Sequence, residues 1–311
     1  VAVVVWLAGC QPVGPIVPDE LAPVVRDAPR QTLPTYNELT TQYNQRLDGL
    51  DQLWARTDVQ LRWREEDGDA RREDGDGKLI WRAPTDLVLT VEKVGRVMLW
   101  AGADASRYWL FDLIDTDQKT LLWGRQDRVG AAGLPLPVSP QALPHLLGLL
   151  PLPPADAVYG DGLVQAARGY WVVRPPGLAL RLWIVPETLR PTQVELLDRE
   201  GSTRVVARLE GSRSVEGLES VAVPQTVDII PVDEEARFTL ILQRVTTGEG
   251  RIRDAMFDLD RLVAAHRPQQ MIDLDQQPTD DGTAPPPAAD APAPPPPVVE
   301  PPRRWRPPHR R

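Results

Sequence analysis

Apolar and polar residues change their repeat several times along the chain, and each change marks an element. Tyr36, Leu39, Tyr43, Leu47, Leu50, Leu53 and Trp54 recur at the spacing of one helical face. Thr35 and Glu38 begin this run as a capping box, in which each side chain takes up a free backbone N–H. Gly49 weakens the helix by up to about 1 kcal/mol. Past it the repeat becomes two. Val59, Leu61 and Trp63 alternate with Gln60, Arg62 and Arg64, which predicts a strand with one wet face. Residues 65–77 read as a polar, glycine-bearing turn, and 78–82 as the returning strand, with Leu79 and Trp81 on one face. Leu87, Leu89 and Val91 mark a third strand, and residues 97–100, 108–113 and 120–123 mark three more, punctuated by Gly and Asp turns.

Residues 131–154, rich in Pro and Leu, interrupt this meander. Ser139-Pro140 is a favourable helix start, and Leu143, Leu146, Leu147 and Leu150 then share a face. Strands resume at 169–174, 179–185, 192–198, 203–210, 225–231 and 237–245, with a hairpin turn at 198–202. The reading is about ten or eleven strands with few helices. Nothing alternates strand with helix, so the expectation is one large antiparallel sheet, curved enough to need covering on its inner side.

Several strands are apolar on both faces. Met98 and Trp100 oppose Val97 and Leu99, and Trp109 and Phe111 oppose Tyr108 and Leu110. A sheet with one solvated face alternates cleanly, so both faces here are covered by helices, by a second layer or by a ligand. A thick core and an apolar cavity sized for acyl chains both satisfy that pattern.

The two ends differ from this body. Residues 1–9 read as the end of a secretory signal, and Leu7-Ala8-Gly9-Cys10 has the form of a lipobox, in which the thiol accepts a diacylglyceryl group. Cys10 is the single cysteine of the chain, so its lipidation leaves no thiol for a disulfide. Residues 11–33 hold several prolines and no periodicity, as a flexible tether does. The body then spans 34–275. Residues 276–311 are mostly Pro, Ala, Asp and Thr with a basic end, a composition that stays disordered. Proline reaches 34 of 311 residues, about twice the usual share.

A net charge of −9 argues against a nucleic-acid binder. Three histidines leave little material for a catalytic or metal centre. No Gly-x-Ser-x-Gly stands in the chain, and Ser139 is a cap. His145 and His266 are the remaining pair for an envelope hydrolase. Asp67, Asp69, Asp74 and Asp76 fail a calcium loop, because Arg71 and Arg72 occupy its fifth and sixth positions. No glycine-rich phosphate loop opens a helix, so Gly75, Gly77, Gly160 and Gly162 read as turn glycines and no cofactor is expected.

The order of weak motifs adds a resemblance. Tyr36-Asn37 leads into Val59-Gln-Leu-Arg-Trp63, then Gly77-Lys-Leu-Ile-Trp-Arg-Ala-Pro84 and Tyr108-Trp-Leu-Phe-Asp112. Ile184-Val-Pro-Glu-Thr-Leu-Arg-Pro-Thr-Gln-Val194, Ile252-Arg-Asp-Ala-Met-Phe-Asp-Leu259 and Met271-Ile-Asp-Leu274 follow. This succession resembles the superfamily of outer-membrane lipoprotein-sorting proteins, the LolA/LolB-like and LppX-like group. The resemblance implies a mainly β fold with a helical plug: an incomplete, half-open antiparallel β-barrel whose helices cover the concave side. It implies a cavity for acyl chains of lipids or lipoproteins, with residues 139–150 as part of a lid. The candidate lining is Leu61, Trp63, Trp81, Leu89 and Leu99 from odd-numbered strand positions, with Tyr108 and with Leu146 and Leu150 of the lid. The anchor at Cys10 places the chain nearer the membrane-bound acceptor than the soluble carrier, in the bacterial envelope at the outer membrane facing the periplasm. Two features depart from the family pattern: the long Pro-rich tail is foreign to it, and the soluble carrier's functional arginine has no assigned counterpart here. The alternative is a structural or sensing lipoprotein that binds a protein partner, with the tail touching the cell wall or that partner.

Overall fold

The computed structural model describes residues 21–27, 32–64, 70–114, 118–128, 138–156, 160–232 and 236–276. The lipobox with Cys10, most of the tether and the tail beyond 276 lie outside the described residues, as does the side chain of Trp63. The chain enters the body through helix α1 (Tyr36–Gln45), whose capping box is present: the Thr35 hydroxyl accepts from the Glu38 N–H, and Glu38 accepts from the Thr35 N–H at 2.8 Å. The apolar stripe predicts a longer helix, but Gly49 sits at φ 80. The helix ends at Gln45 in i→i+3 turns, and the left-handed Gly49 then redirects the chain so that Leu53 and Trp54 fall on the first strand.

The strands β1 (Gln52–Arg64), β2 (Ala70–Arg82), β3 (Asp86–Lys93), β4 (Arg96–Ala103), β5 (Arg107–Asp112) and β6 (Thr120–Arg125) follow as an antiparallel meander. A 3-10 turn at Pro140–Ala142 leads into the single-turn helix α2 (Leu143–Leu146). A second meander comprises β7 (Leu163–Ala167), β8 (Tyr170–Arg174), β9 (Leu180–Ile184), β10 (Pro191–Leu197) and β11 (Thr203–Glu210). β12 (Arg213–Val215) and β13 (Leu218–Val223) form a separate hairpin. β14 (Thr226–Pro231) and β15 (Arg237–Thr246) close the gap between the meanders, β14 pairing with β11 and β15 with β1. Helix α3 (Leu259–His266) and the short β16 (Gln270–Asp273) end the body.

Fourteen of the described strands make one sheet, in the order β16-β6-β5-β4-β3-β2-β1-β15-β14-β11-β10-β9-β8-β7. Its two ends do not pair with each other, so the half-barrel is open. The strand count exceeds the sequence expectation for physical reasons. β7 is an exposed edge without alternation, β12 is three residues long, and β16 is held by a parallel pairing with β6 that no local pattern encodes. Residues 70–77 belong to β2 rather than to a turn.

Register shows which side chains share a face. Trp81 lies opposite Leu53 and Leu87, Leu89 opposite Ala101, and Val91 opposite Leu99. Across the junction, Val59 lies opposite Leu240, then Leu240 opposite Val227, Ala207 opposite Val194, and Leu182 opposite Val173. One apolar surface therefore runs from β6 to β8. Parity does not mark it. Leu110, Leu122 and Leu182 are inner residues with even numbers, because turns and the bulge at Arg56/Thr57 reset the alternation.

The outer face is covered too. Trp109, Phe111 and Leu121 pack under Leu259 and Leu262 of α3, and Ile80 and Val88 under Phe257. Further along, the fully buried Glu195 accepts from Arg181 at 2.9 Å, Gln193 at 2.9 Å, Thr203 at 3.0 Å and the Trp183 indole. Such a carboxylate is tolerated only with its lone pairs filled.

On the inner face Gly75 and Gly77 are strand residues placed by close approach. A Cβ at Gly77 would stand 2.4 Å from the Thr90 carbonyl oxygen, a backbone atom that has little room to yield. Gly77→Ala is expected to destabilise the protein by about 1–3 kcal/mol, read as a lower urea midpoint at unchanged slope.

Candidate functional site

The inner apolar surface is roofed by two pieces of chain. Tyr36, Leu39 and Tyr43 of α1, with Leu47 and Leu50 just after it, lie against the sheet, and so do Val138, Leu143, Leu146, Leu147 and Leu152. Both pieces are short, and tertiary packing rather than helix propensity holds them in place.

Polar side chains of α1 clasp the backbone of the second piece. The Tyr36 hydroxyl donates to the Pro153 carbonyl at 2.7 Å. Asn44 donates through Nδ2 to the Leu152 carbonyl at 2.9 Å and accepts through Oδ1 from the Leu152 N–H at 2.8 Å. Arg46 Nη2 donates to the Gly148 carbonyl at 2.8 Å, with its guanidinium over the Tyr43 ring. Asn37 Oδ1 accepts from the Ala155 N–H at 3.2 Å. These bonds satisfy backbone groups that the Pro-rich segment cannot pair within itself. Gly162 lets the clasp seat: a Cβ there would meet the Tyr36 ring at 2.4 Å. It is thus a packing glycine rather than a turn glycine.

The structure brings most of the predicted lining together. Trp81, Leu89, Leu99 and Leu146 are buried in one cluster, and the half-buried Leu61 and Leu150 pack against it. Tyr108 shares the sheet face but belongs to an edge cluster with Ala103 and Leu274. In this closed arrangement the plug's leucines occupy the space over the sheet. A separate open cavity of about 750 Å³ lies at the other face, beside Arg107, Trp123 and Arg125. The clasp residues Asn37, Asn44 and Arg46 are new relative to the sequence reading, and so are Thr57 and Trp171 of the inner face. Their signal was faint: polar residues on the same helix as an apolar stripe.

His145 and His266 do not form a joint site. His145 rides on α2 above the inner face. His266 ends α3 on the outer face, with its ring 5.3 Å from both Trp100 and Phe111. Burial lowers the pKa of each from the ordinary imidazole value, and Lys119 adds to the effect at His266. Among the described residues, no group of three or more His, Cys, Asp or Glu is placed to hold a metal ion. Among the same residues, no helix is long and apolar enough to cross a membrane.

No protein-family model matches the chain, and no curated protein matches it. Solved structures do. A DUF1329 family protein from Desulfovibrio piger is 10% identical with a TM-score of 0.50, over 73% of this chain and 97% of that one. A LolA superfamily protein from Nitrosomonas europaea is 13% identical with a TM-score of 0.46, over 73% and 99%. A domain from Vibrio parahaemolyticus named for outer-membrane lipoprotein sorting is 11% identical with a TM-score of 0.46, over 72% and 97%. At these identities the likeness is one of fold.

The half-buried His145 is expected to make the plug acid-sensitive. Its folded pKa lies below the unfolded value of about 6.5. Its stabilising effect is therefore complete above that pH and is lost as pH falls below it, until the folded form also takes the proton. Urea unfolding between pH 8 and pH 5 is expected to show a declining midpoint, less steep in His145→Gln. An unchanged slope in that variant would place the acid sensitivity elsewhere, at His266 first.

Proposed function

We propose that the chain is a lipid-anchored protein of the bacterial envelope that takes acyl chains of lipids or lipoproteins beneath its helical plug and passes them on without covalent chemistry. The observation that supports this reading is the construction of the roof. An apolar face spanning the half-barrel is covered by short segments that side-chain hydrogen bonds hold in place. Each such bond contributes about 1 kcal/mol net, and none is part of the sheet ladder. A 16-carbon chain contributes on the order of 10 kcal/mol before binding costs. The lid leucines exchange contact with the sheet for contact with that chain, so they stay buried. Leu61, Trp81, Leu89, Leu99, Leu146 and Leu150 line the opened site, with Tyr108 at its edge.

The anchor reaches the body through residues 21–27. Arg26 donates its N–H to the Arg168 carbonyl at 2.9 Å, lies over the Tyr170 ring and pairs with Glu187 at 3.5 Å. The tether therefore joins at the β7–β8 turn, and Cys10 carries the lipid that places the protein at the outer membrane. The Pro-rich tail serves as a contact for cell wall or a protein partner.

Native mass spectrometry of the gently purified, non-lipidated chain is the direct test. Co-purifying phospholipid or lipopeptide is expected. An empty body with a stoichiometric protein partner would favour the sensing alternative instead. Asn44→Ala, which breaks two clasp bonds, is expected to speed amide exchange across residues 138–155 and to speed loading of added lipid. For the anchor, Cys10→Ala is expected to move the protein from the membrane to the soluble fraction, and persistent attachment would count against lipidation.

A further inference from the structure

Among the described residues, six large apolar side chains are exposed: Val24, Val25, Leu33, Val94, Leu163 and Met271. Such residues scattered singly carry no message. Four of these six, however, stand at one place, the β7 edge of the sheet. Leu163 opens β7, which pairs with β8 on one side and ends the sheet on the other. Val24 and Val25 lie at the far end of that strand. Next to them the Arg26 N–H donates to the Arg168 carbonyl, in the turn after β7, at 2.9 Å. Leu33 lies toward the near end. Three residues after it, the Tyr36 ring packs on Gly162, the residue just before β7.

The segment that carries the two valines is itself fixed to the body. Arg168 Nη1 donates to the Pro23 carbonyl at 3.5 Å, and Arg26 pairs with Glu187 at 3.5 Å while lying over the Tyr170 ring. Gly169 comes so close that a Cβ there would stand 2.5 Å from the Asp27 carbonyl oxygen. These contacts hold Val24 and Val25 outward, 82% and 68% exposed. β7 itself reads Leu-Val-Gln-Ala-Ala and carries none of the charges that blunt an open edge. An apolar strip of this kind on a fixed edge marks an interaction face.

We infer that the β7 edge rests on a lipid bilayer, with Val24, Val25, Leu33 and Leu163 in the headgroup interface. The inference rests on the lipid anchor proposed above. Thirteen residues separate Cys10 from Pro23. An extended chain spans about 3.5 Å per residue, so the strip stays within about 45 Å of the anchored lipid. Tethering at that range turns a weak contact with the same membrane into an intramolecular one. A bilayer interface accepts apolar side chains without matched hydrogen bonds, and the hydrated headgroups take up the outward N–H and C=O groups of the edge strand. β7 also borders the inner face, since Val164 packs against the inner cluster. The membrane contact therefore brings the rim of the plugged face to the lipids.

Depth-dependent quenching tests this. In the lipidated chain Cys10 is consumed, so an introduced cysteine is the single free thiol. Val24→Cys, Leu163→Cys and, as a reference, Val94→Cys each receive a fluorescent label. Val94 is fully exposed at the β3–β4 turn, with eight strands between β3 and β7. The labelled proteins are bound to phosphatidylethanolamine–phosphatidylglycerol vesicles containing lipids with a nitroxide high on the acyl chain. Labels at positions 24 and 163 are expected to lose about half of their emission or more, and the label at position 94 to keep its own. Val24→Asp together with Val25→Asp changes only exposed side chains and is expected to restore emission at position 163. Labels at positions 24 and 163 quenched no more than the label at position 94 would overturn the membrane face and leave the anchor standing. Quenching at position 163 that survives the double aspartate variant would overturn the role of the valines. A chain that carries no lipid and separates from the vesicles would overturn the anchor and the face together.

Discussion

The structure depends on one constraint: a very wide sheet that is apolar on both sides must be covered on both sides, and it does not close on itself. A closed barrel of this many strands would enclose a lumen wider than its own side chains can fill. Here the edge strands β7 and β16 remain apart, so the inner face is covered by whatever chain can be laid across it. That chain is α1 and the Pro- and Leu-rich segment after residue 138. Because both are too short to be stable alone, their positions depend on each other, and the hydrogen bonds from Tyr36, Asn37, Asn44 and Arg46 bind them into one plug.

The two faces are covered by different means. On the outer face, α3 and the 3-10 turn before it set Leu259, Leu262 and Phe257 against Trp109, Phe111, Ile80 and Val88, and further along a carboxylate with every partner in place fills the layer. On the inner face the cover is held largely through carbonyls, and buried unpaired polar atoms stand on both faces, Trp81 and Trp171 inside and Trp100 and Trp109 outside. The outer cover is thus one continuous element near the end of the body, and the inner cover is two separate pieces joined by side-chain hydrogen bonds.

Much of this was legible along the chain. The capping box at Thr35 and Glu38 stands as read, and so do the strands around Leu87–Val91 and Tyr108–Phe111 and the short helix after Pro140. The two-sided apolar pattern of β4 and β5 foretold cover on both faces. Leu53 and Trp54 were misassigned to the helix because an apolar stripe continues past Gly49, and the left-handed backbone there is not visible as a period. The strand residues Gly75 and Gly77 looked like a turn because glycine marks both chain reversal and close approach. Of the candidate lining, Trp81, Leu89, Leu99 and Leu146 met in one cluster, while Tyr108 fell to an edge cluster because β16 and Leu274 fold back beside it.

Local pattern thus determined which residues are helix or strand and that the sheet has no wet side, since periodicity is a property of neighbours a few residues apart. The tertiary structure alone decided that β15 pairs with β1, that β16 runs parallel to β6, and that Asn44 and Arg46 reach backbone about a hundred residues away. Those choices depend on burial and on satisfying specific carbonyls across space. No spacing along the chain records them.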